Sequence, residues 1–137
     1  MPLALLEKVL DSKDPRARTA GMRVLSSIAD RVPTALDLVR KAAADEHPRV
    51  RLEALRTASY LKVPEAVEAL AIVGEFPSDR QMDYVKKEAA RVLEPDFQRA
   101  LEAKQPIAFK TEAGRRYFYG KLTNDQLAAE PRSPAVY

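Results

Sequence analysis

Arginine side chains at a regular spacing are the feature of this sequence that could support binding chemistry. Arg23, Arg56 and Arg91 occupy equivalent places in a repeating pattern, at intervals of 33 and 35 residues. A guanidinium group binds a carboxylate or a phosphate in a bidentate manner. If each arginine lies on a successive helix of a regular stack, the three form a basic ladder, which Arg49 would widen. Such a ladder could bind an acidic protein segment or a nucleic-acid backbone.

The same residues also fit a solvated surface of local ion pairs. Glu53 precedes Arg56 by three residues, and Glu88 precedes Arg91 by three, which is the spacing of a pair on one helix face. Interspersed glutamates reduce the positive potential that a nucleic acid requires. The pattern therefore favours a protein partner, with a nucleic acid as the alternative.

An internal repeat supplies the elements that would position these arginines. Residues 14–25 recur as residues 47–58, with a proline and three arginines in the same register, and residues 84–91 match residues 49–56. A period of this length is typical of stacked pairs of short helices, which expose a long surface. The repeat predicts an all-α protein.

Proline marks the start of most of the predicted helices. Six of the ten prolines stand just before a helically periodic segment, where the missing N–H is tolerated. The predicted helices are 2–11, 15–30, 33–44, 48–62, 64–74, 78–93 and 95–103. Asp14 and Ser78 are the expected N-caps of two of them. The short connections predict that neighbouring helices lie antiparallel.

The middle unit carries a family resemblance. Its segment Asp45-Glu46-His47-Pro48-Arg49-Val50-Arg51-Leu52-Glu53-Ala54-Leu55 resembles the second-helix signature of HEAT repeats, and the resemblance extends over about residues 1–95. It implies a right-handed α-solenoid of about three helix pairs in residues 1–104, followed by a helical C-terminal capping segment in residues 105–137.

The resemblance also implies a structural role for a second set of charged residues. Arg18, Arg51 and Lys86 occupy the family's position for a base that bonds turn aspartates and carbonyls between neighbouring units. Asp45 lies six residues before Arg51, as that pattern requires. We expect this inter-repeat ladder to stabilise the fold rather than to bind a partner.

A second resemblance concerns the third unit and the tail. Residues 83–95, 122–127 and 131–137 resemble the helical-repeat segment of large bacterial c-type haem proteins of the planctomycete type. This likeness implies a spacer or docking module within a larger haem-binding oxidoreductase, which would place the chain in the periplasm. The chain as given begins without a signal peptide, and by itself it would be cytoplasmic.

Aromatic residues are concentrated after residue 105. Five of the nine lie there: Phe109, Tyr117, Phe118, Tyr119 and Tyr137. Tyr117, Phe118 and Tyr119 are candidates for packing a cap over the last unit, because an end unit would otherwise leave its apolar face wet. The alternative is a partner site, in which Arg115 and Arg116 flank a stacking platform for single-stranded nucleic acid.

Composition excludes several classes of site. The 137 residues include no cysteine and a single histidine, His47, which excludes iron–sulfur, thiolate-zinc and thiol-dependent sites within this chain. The sequence contains neither a Gly-x-Ser-x-Gly motif nor a glycine-rich phosphate loop. We therefore predict no catalytic residues, no metal and no cofactor.

Charge and hydropathy leave the partner open. The formal net charge of +3 permits an acidic partner without requiring one. No apolar run approaches the roughly 20 residues of a membrane span, so we expect a soluble chain without membrane insertion. The sequence as a whole predicts a helical-repeat scaffold or protein-interaction module.

Overall fold

The computed structural model describes residues 3–61 and 63–129, with side chains through Lys121. Seven α-helices lie within these residues: α1 Leu3–Leu10, α2 Pro15–Ile28, α3 Ala35–Ala43, α4 Pro48–Ala58, α5 Glu68–Val73, α6 Arg80–Glu102 and α7 Glu112–Ala129. A short 3₁₀ helix, Ala29–Arg31, follows α2, and another, Pro64–Val67, leads into α5. The described residues contain no strand, which confirms the predicted all-α class.

The starts of α2 and α4 use the same device. Pro15 and Pro48 are the first helical residues, and each follows a residue whose side chain accepts a backbone hydrogen bond. Asp14 Oδ1 accepts from the N–H of Arg16 at 2.9 Å, and His47 Nδ1 accepts from the N–H of Arg49 at 3.1 Å. The only histidine is therefore an N-cap that satisfies a free amide of the first turn.

The third unit departs from the predicted helix boundaries. Asp79, rather than Ser78, is the N-cap of α6, and it accepts from the N–H of Met82 at 2.7 Å. The predicted helix break at Pro95 is wrong, because α6 continues through it. Leu93 and Phe97 are buried on either side of the exposed proline, and their packing outweighs the roughly 3 kcal/mol that an interior proline costs.

The helices form two layers. The pairs are α1 with α2, α3 with α4, and the Pro64–Val67 and α5 segment with α6. The second helices α2, α4 and α6 pack one on the next, while α3, α5 and α7 succeed one another in the other layer. This arrangement is an α-solenoid with a helical C-terminal cap, as predicted.

The core runs along the middle of the stack. Helix α4 packs against α2, α3, α5 and α6, and Val50, Ala54, Leu55 and Ala58 are fully or almost fully buried. The sequence of α4 is apolar over much of its circumference for this reason. Helix α4 is thus the central element of the stack, and with α2 it carries the candidate site.

Candidate interaction face

Two arginines of the predicted ladder converge on one buried carboxylate. Nε of Arg23, on α2, and Nη1 of Arg56, on α4, each donate to Oε1 of Glu53 at 3.2 Å. The prediction that Glu53 lies on a solvated face is wrong, because this residue is only 4% exposed. Helix α2 packs along α4 so that both arginine side chains cover the carboxylate.

The guanidinium groups above Glu53 remain accessible. The side chains of Arg23 and Arg56 are 59% and 49% exposed. Arg16 and Arg49 are exposed seven residues earlier on the same two helices, which places them about two turns along the same faces. We call these four residues, Arg16, Arg23, Arg49 and Arg56, the arginine face.

The third member of the predicted ladder has a carboxylate partner on its own helix. Arg91, on α6, pairs with Glu88 at 2.8 Å between Nη2 and Oε2. The hydrogen bond from Arg91 holds the pKa of Glu88 below its usual value, and the same pair raises the pKa of Arg91. The structure therefore brings Arg23, Glu53 and Arg56 together, whereas Arg91 and Glu88 form a separate local pair.

Asp45 connects the turns of the first two units. Nε and Nη2 of Arg18 donate to its two carboxylate oxygens at 2.8 and 2.9 Å, and Nη1 of Arg18 donates to the carbonyl of Ser12 at 2.9 Å. Nη1 of Arg51 donates to the backbone carbonyl of Asp45 at 2.7 Å. The side chains of Arg18 and Asp45 are both 13% exposed. A bidentate pair in this setting fixes one turn relative to the next.

Arg51 and Lys86, the other two bases of the inter-repeat ladder, have different surroundings. The Arg51 guanidinium lies 4.2 Å above the centre of the Phe76 ring, a cation–π contact that covers one of its faces. Lys86 is half-buried and makes no hydrogen bond or ion pair with the residues that the structure describes. The three bases thus differ in the number of polar contacts they make, and Arg18 makes the most.

Replacing Asp45 with asparagine is expected to reduce the free energy of unfolding at neutral pH by about 1.5–3 kcal/mol. Burial raises the pKa of Asp45, but the hydrogen bonds from Arg18 and from the backbone of His47 outweigh this effect and hold the pKa below its usual value. This contribution is therefore present above the unfolded pKa of about 3.9 and lost as the pH falls through the folded pKa. Urea unfolding from pH 7 to pH 2 should show the difference between the two proteins narrowing below about pH 4. If the difference in unfolding free energy stayed constant down to pH 2, the ionised Asp45 carboxylate would not be its cause.

A buried ionic centre that no local sequence pattern predicts lies in the layer of α3, α5 and α7. Glu68, on α5, is completely buried, and Arg40, on α3, is 8% exposed. Arg40 Nε donates to Glu68 Oε1 at 2.5 Å. Arg40 Nη1 also donates to Asp37 at 2.7 Å, and its Nη2 donates to the carbonyl of Ala108 at 3.3 Å. Each charge is thus matched by its partners, as burial requires.

The second oxygen of Glu68 holds the start of α7. Oε2 accepts from the backbone N–H groups of Lys110 and Thr111 at 3.1 and 2.8 Å, and from the Thr111 hydroxyl at 2.5 Å. The Thr111 hydroxyl oxygen in turn accepts from the N–H of Gly114 at 3.0 Å. The carboxylate therefore lies at the positive end of the α7 dipole. We call Arg40, Glu68, Thr111 and Gly114 the docking centre.

A surface contact reinforces the docking centre. Lys110 Nζ donates to Asp37 Oδ1 at 3.0 Å, and this bond holds the pKa of Asp37 below its usual value. The one signal in the sequence was a glutamate inside the short apolar segment Ala66–Val73. A charged residue in such a segment is rarely buried without a partner, but nothing local identifies Arg40 or residues 108–114.

The C-terminal aromatic residues pack on α6. The ring of Phe97 lies 5.9 Å from Phe109, 5.8 Å from Tyr117 and 6.1 Å from Phe118, measured between centres. The Tyr117 hydroxyl donates to Glu94 at 3.2 Å, and burial together with this carboxylate raises the pKa of Tyr117. Tyr119 is 64% exposed. The three predicted aromatics therefore do not share one exposed face, and Tyr137 lies outside the described residues.

Two of the surface depressions lie between elements of the stack. A cleft of about 650 Å³ separates the first two units, and Met22 and Val50 are among its lining residues. A groove of about 470 Å³ runs along α6 beside α7. Among the described residues, no group of histidine or acidic side chains could hold a metal ion. No helix in the same residues is long and apolar enough to cross a membrane.

The helical repeat of this chain matches a known protein family. The sequence profile of HEAT repeats matches residues 2–94, the part that contains α1 to α5 and more than half of α6. Neither the curated proteins nor the solved structures gave a significant match. The profile covers most of the chain, and the layered helix pairs are those the family is expected to form. The chain belongs to the HEAT repeat family.

Proposed function

We propose that this chain is a non-catalytic scaffold that binds an acidic protein segment on its arginine face. The HEAT repeat family is a family of helical-repeat scaffolds and interaction modules, generally without catalytic activity. The single observation that carries the proposal is the shared carboxylate of Glu53, which orders the guanidinium groups of Arg23 and Arg56 at the surface of α2 and α4.

The geometry of the face supports an extended acidic partner. Each guanidinium uses one N–H on Glu53, so its other donors are free of that carboxylate. Contacts of Arg18 with Asp45 and of Arg23 with Glu53 show that α2 and α4 run in the same direction. Two parallel rows of arginines, spaced by about two turns, suit carboxylates spaced along one segment.

A nucleic-acid backbone is the second candidate, and the same arginines favour it. Phosphates bind guanidinium groups as carboxylates do. Glu53 beneath the face and Glu88 beside Arg91 lower the potential that a long backbone would experience. The choice between the two candidates therefore depends on which of them the face binds more tightly. A binding experiment measures this affinity directly.

The place of this scaffold in a larger protein is also a proposal. The likeness of α6, α7 and the tail to helical-repeat segments of haem proteins supports a position within a haem-binding oxidoreductase. In that setting the arginine face would dock an acidic segment of the parent chain or of its partner.

Fluorescence anisotropy should show binding of a labelled glutamate-rich peptide of about ten residues at micromolar protein, weaker at about 200 than at 50 mM salt. Changing Arg23, Arg49 and Arg56 to glutamine is expected to weaken this binding by about tenfold or more. Changing Arg31, Arg99 and Arg115 to glutamine removes the same charge elsewhere and should leave the binding nearly unchanged.

Labelled single- and double-stranded DNA of similar charge serves as the competing probe. Tighter binding of DNA than of the peptide, lost in the first triple variant and steeply salt-dependent, would favour the nucleic-acid candidate. Equal losses in both triple variants would mean that net charge alone is responsible and would overturn a specific arginine face.

A further inference from the structure

Arg51 is a buried cation with an incomplete set of partners. It is only 5% exposed, yet among the described residues it forms a single hydrogen bond, from Nη1 to the carbonyl of Asp45 at 2.7 Å. Its Nε is buried without a hydrogen-bond partner, and no carboxylate of the described residues forms an ion pair with the guanidinium. A guanidinium group has five N–H donors. A buried charge is normally paired, so the unused donors of Arg51 indicate a further partner.

Arg18, the equivalent residue of α2, shows which kind of partner this guanidinium binds. Arg18 and Arg51 lie 33 residues apart, and Nη1 of each donates to the backbone carbonyl of the residue six places before it. The Nε and Nη2 edge of Arg18 binds both carboxylate oxygens of Asp45, in the turn of the next unit. The same edge of Arg51 is the one that lacks a partner among the described residues. This edge is suited to bidentate binding of one carboxylate.

The turn before α6 has no carboxylate at the corresponding place. Asp45 lies two residues before the N-cap of α4. The residue two places before the N-cap of α6 is Pro77, whose side chain has no hydrogen-bond acceptor. The neighbouring residue Phe76 lies with its ring centre 4.2 Å from the guanidinium carbon of Arg51. The turn therefore reaches Arg51, but it brings an aromatic ring instead of a carboxylate.

The acidic residues of this turn are engaged elsewhere. Asp79 caps α6 through the N–H of Met82, and Glu75 pairs with Arg116 of α7. The turn residues 74–79 are exposed except for Phe76, which is half-buried. A turn at the surface can move aside more easily than the helices that it connects. Its movement would admit a carboxylate to the buried edge beneath it.

We propose that the Nε and Nη2 edge of Arg51 is a binding site for an external carboxylate, which takes the place that Asp45 has beside Arg18. The ligand is an organic acid or an acidic side chain of a partner protein, since both present the same two oxygens. The site uses none of the four residues of the arginine face. Binding there ties the turn before α6 to α4, as the Arg18 and Asp45 pair ties the first two turns.

Nuclear magnetic resonance of the arginine Nε–H groups tests the site with acetate as the probe. Addition of acetate to about 100 mM at constant ionic strength should shift the Arg51 resonance along a saturable curve with a millimolar midpoint. Arg51→Lys identifies this resonance, because lysine keeps the charge but has no Nε–H group. A shift that does not saturate, or no shift, would overturn the proposal, because the Asp45 carbonyl and the Phe76 ring would then be sufficient partners.

A carboxylate introduced into the turn provides a second measurement. Pro77→Asp should raise the urea midpoint of unfolding by about 0.5 M relative to Pro77→Asn, which has the same shape without the charge. The chain with Pro77→Asp should also lose the acetate response at Arg51, whereas the chain with Pro77→Asn should retain it.

Adding Arg51→Met to both variants separates this pairing from the effect of an acidic residue near the start of α6. The difference between the two midpoints should disappear without the guanidinium. Equal midpoints in the presence of Arg51, or a difference that persists with Arg51→Met, would overturn the proposal. Circular dichroism of each variant establishes that the fold is retained.

A short peptide with one central aspartate distinguishes the two sources of the carboxylate. If the peptide shifts the Arg51 resonance at a concentration about tenfold lower than acetate does, the ligand is an acidic side chain of a partner protein. If acetate acts at the same or a lower concentration, the ligand is a free organic acid. Both results support the site, and the absence of a saturable shift with either probe contradicts it.

Discussion

Replacing Glu68 with alanine is expected to reduce the free energy of unfolding by about 3–5 kcal/mol. The substitution leaves the Arg40 guanidinium buried without its closest carboxylate, 2.5 Å away. It also removes the acceptor of the Lys110 and Thr111 amides at the start of α7. Both effects act in the same direction, because the buried Arg40 guanidinium loses one charged partner and the Lys110 and Thr111 amides lose their acceptor. Chemical unfolding followed by circular dichroism measures the loss.

The exposed ion pair of Arg91 and Glu88 provides a control for the buried pair of Arg40 and Glu68. Glu88→Ala removes the same kind of side chain from an exposed ion pair and should unfold nearly as the unaltered protein does. A third variant, Arg40→Met with Glu68→Met, should recover only part of the loss, because it removes both charges but not the need of the α7 amides for an acceptor. Full recovery would contradict the role given to those amides.

Limited proteolysis locates the effect of Glu68→Ala. The link between α6 and α7, residues 103–111, is held to α5 largely by Glu68. We expect cleavage in this link to accelerate more than cleavage in the turns at residues 11–14 and 44–47. Uniform acceleration in all three segments would indicate a global loss rather than undocking of α7.

Gly114→Ala is expected to destabilise the protein by about 1–3 kcal/mol, although alanine favours a helix over glycine by about 1 kcal/mol. A methyl group at Gly114 would lie 2.6 Å from Cγ and 2.7 Å from the carboxyl carbon of Glu68. The Glu68 carboxylate cannot move away freely, because Arg40 and Thr111 hold its two oxygens. Either these hydrogen bonds break or α7 separates from α5.

Gly120→Ala is the control for this prediction. Gly120 is an exposed residue of the same helix, and an added Cβ there would have no neighbour within 4 Å. The substitution should stabilise α7 by up to about 1 kcal/mol. Thermal or urea unfolding of the two variants should therefore change in opposite directions. If both stabilise the protein, close packing between Gly114 and Glu68 is not the constraint inferred from the structure.

Local patterns in the sequence predict much of the stack. Asp14 with Pro15 and His47 with Pro48 each start a helix within one turn of sequence, because a proline with a preceding acceptor satisfies the first amides locally. The repeat of these starts predicts the succession of helix pairs. The apolar residues over much of the circumference of α4 predict that it is covered on two sides, and it packs against α2, α3, α5 and α6.

Local patterns fail where distant packing opposes them. Pro95 should end a helix, yet α6 continues because Leu93 and Phe97 are both buried against other parts of the fold. Glu53 has the spacing of a surface partner for Arg56, but α2 covers it and adds Arg23 from 30 residues away. Both outcomes depend on packing partners that are distant in the sequence, such as Phe109 and Tyr117 for Phe97 and Arg23 for Glu53.

By itself, the sequence determined the helices that begin at Pro15 and Pro48, their repetition and the all-α class, because each depends on residues within one or two turns. Tertiary structure decided which charges are buried and which are exposed. Arg40, Glu68 and Gly114 come from α3, α5 and α7, and their contacts exist only once these helices pack in one layer. Desolvation then makes their pairing obligatory, whereas the same residue types at the surface would remain solvated individually.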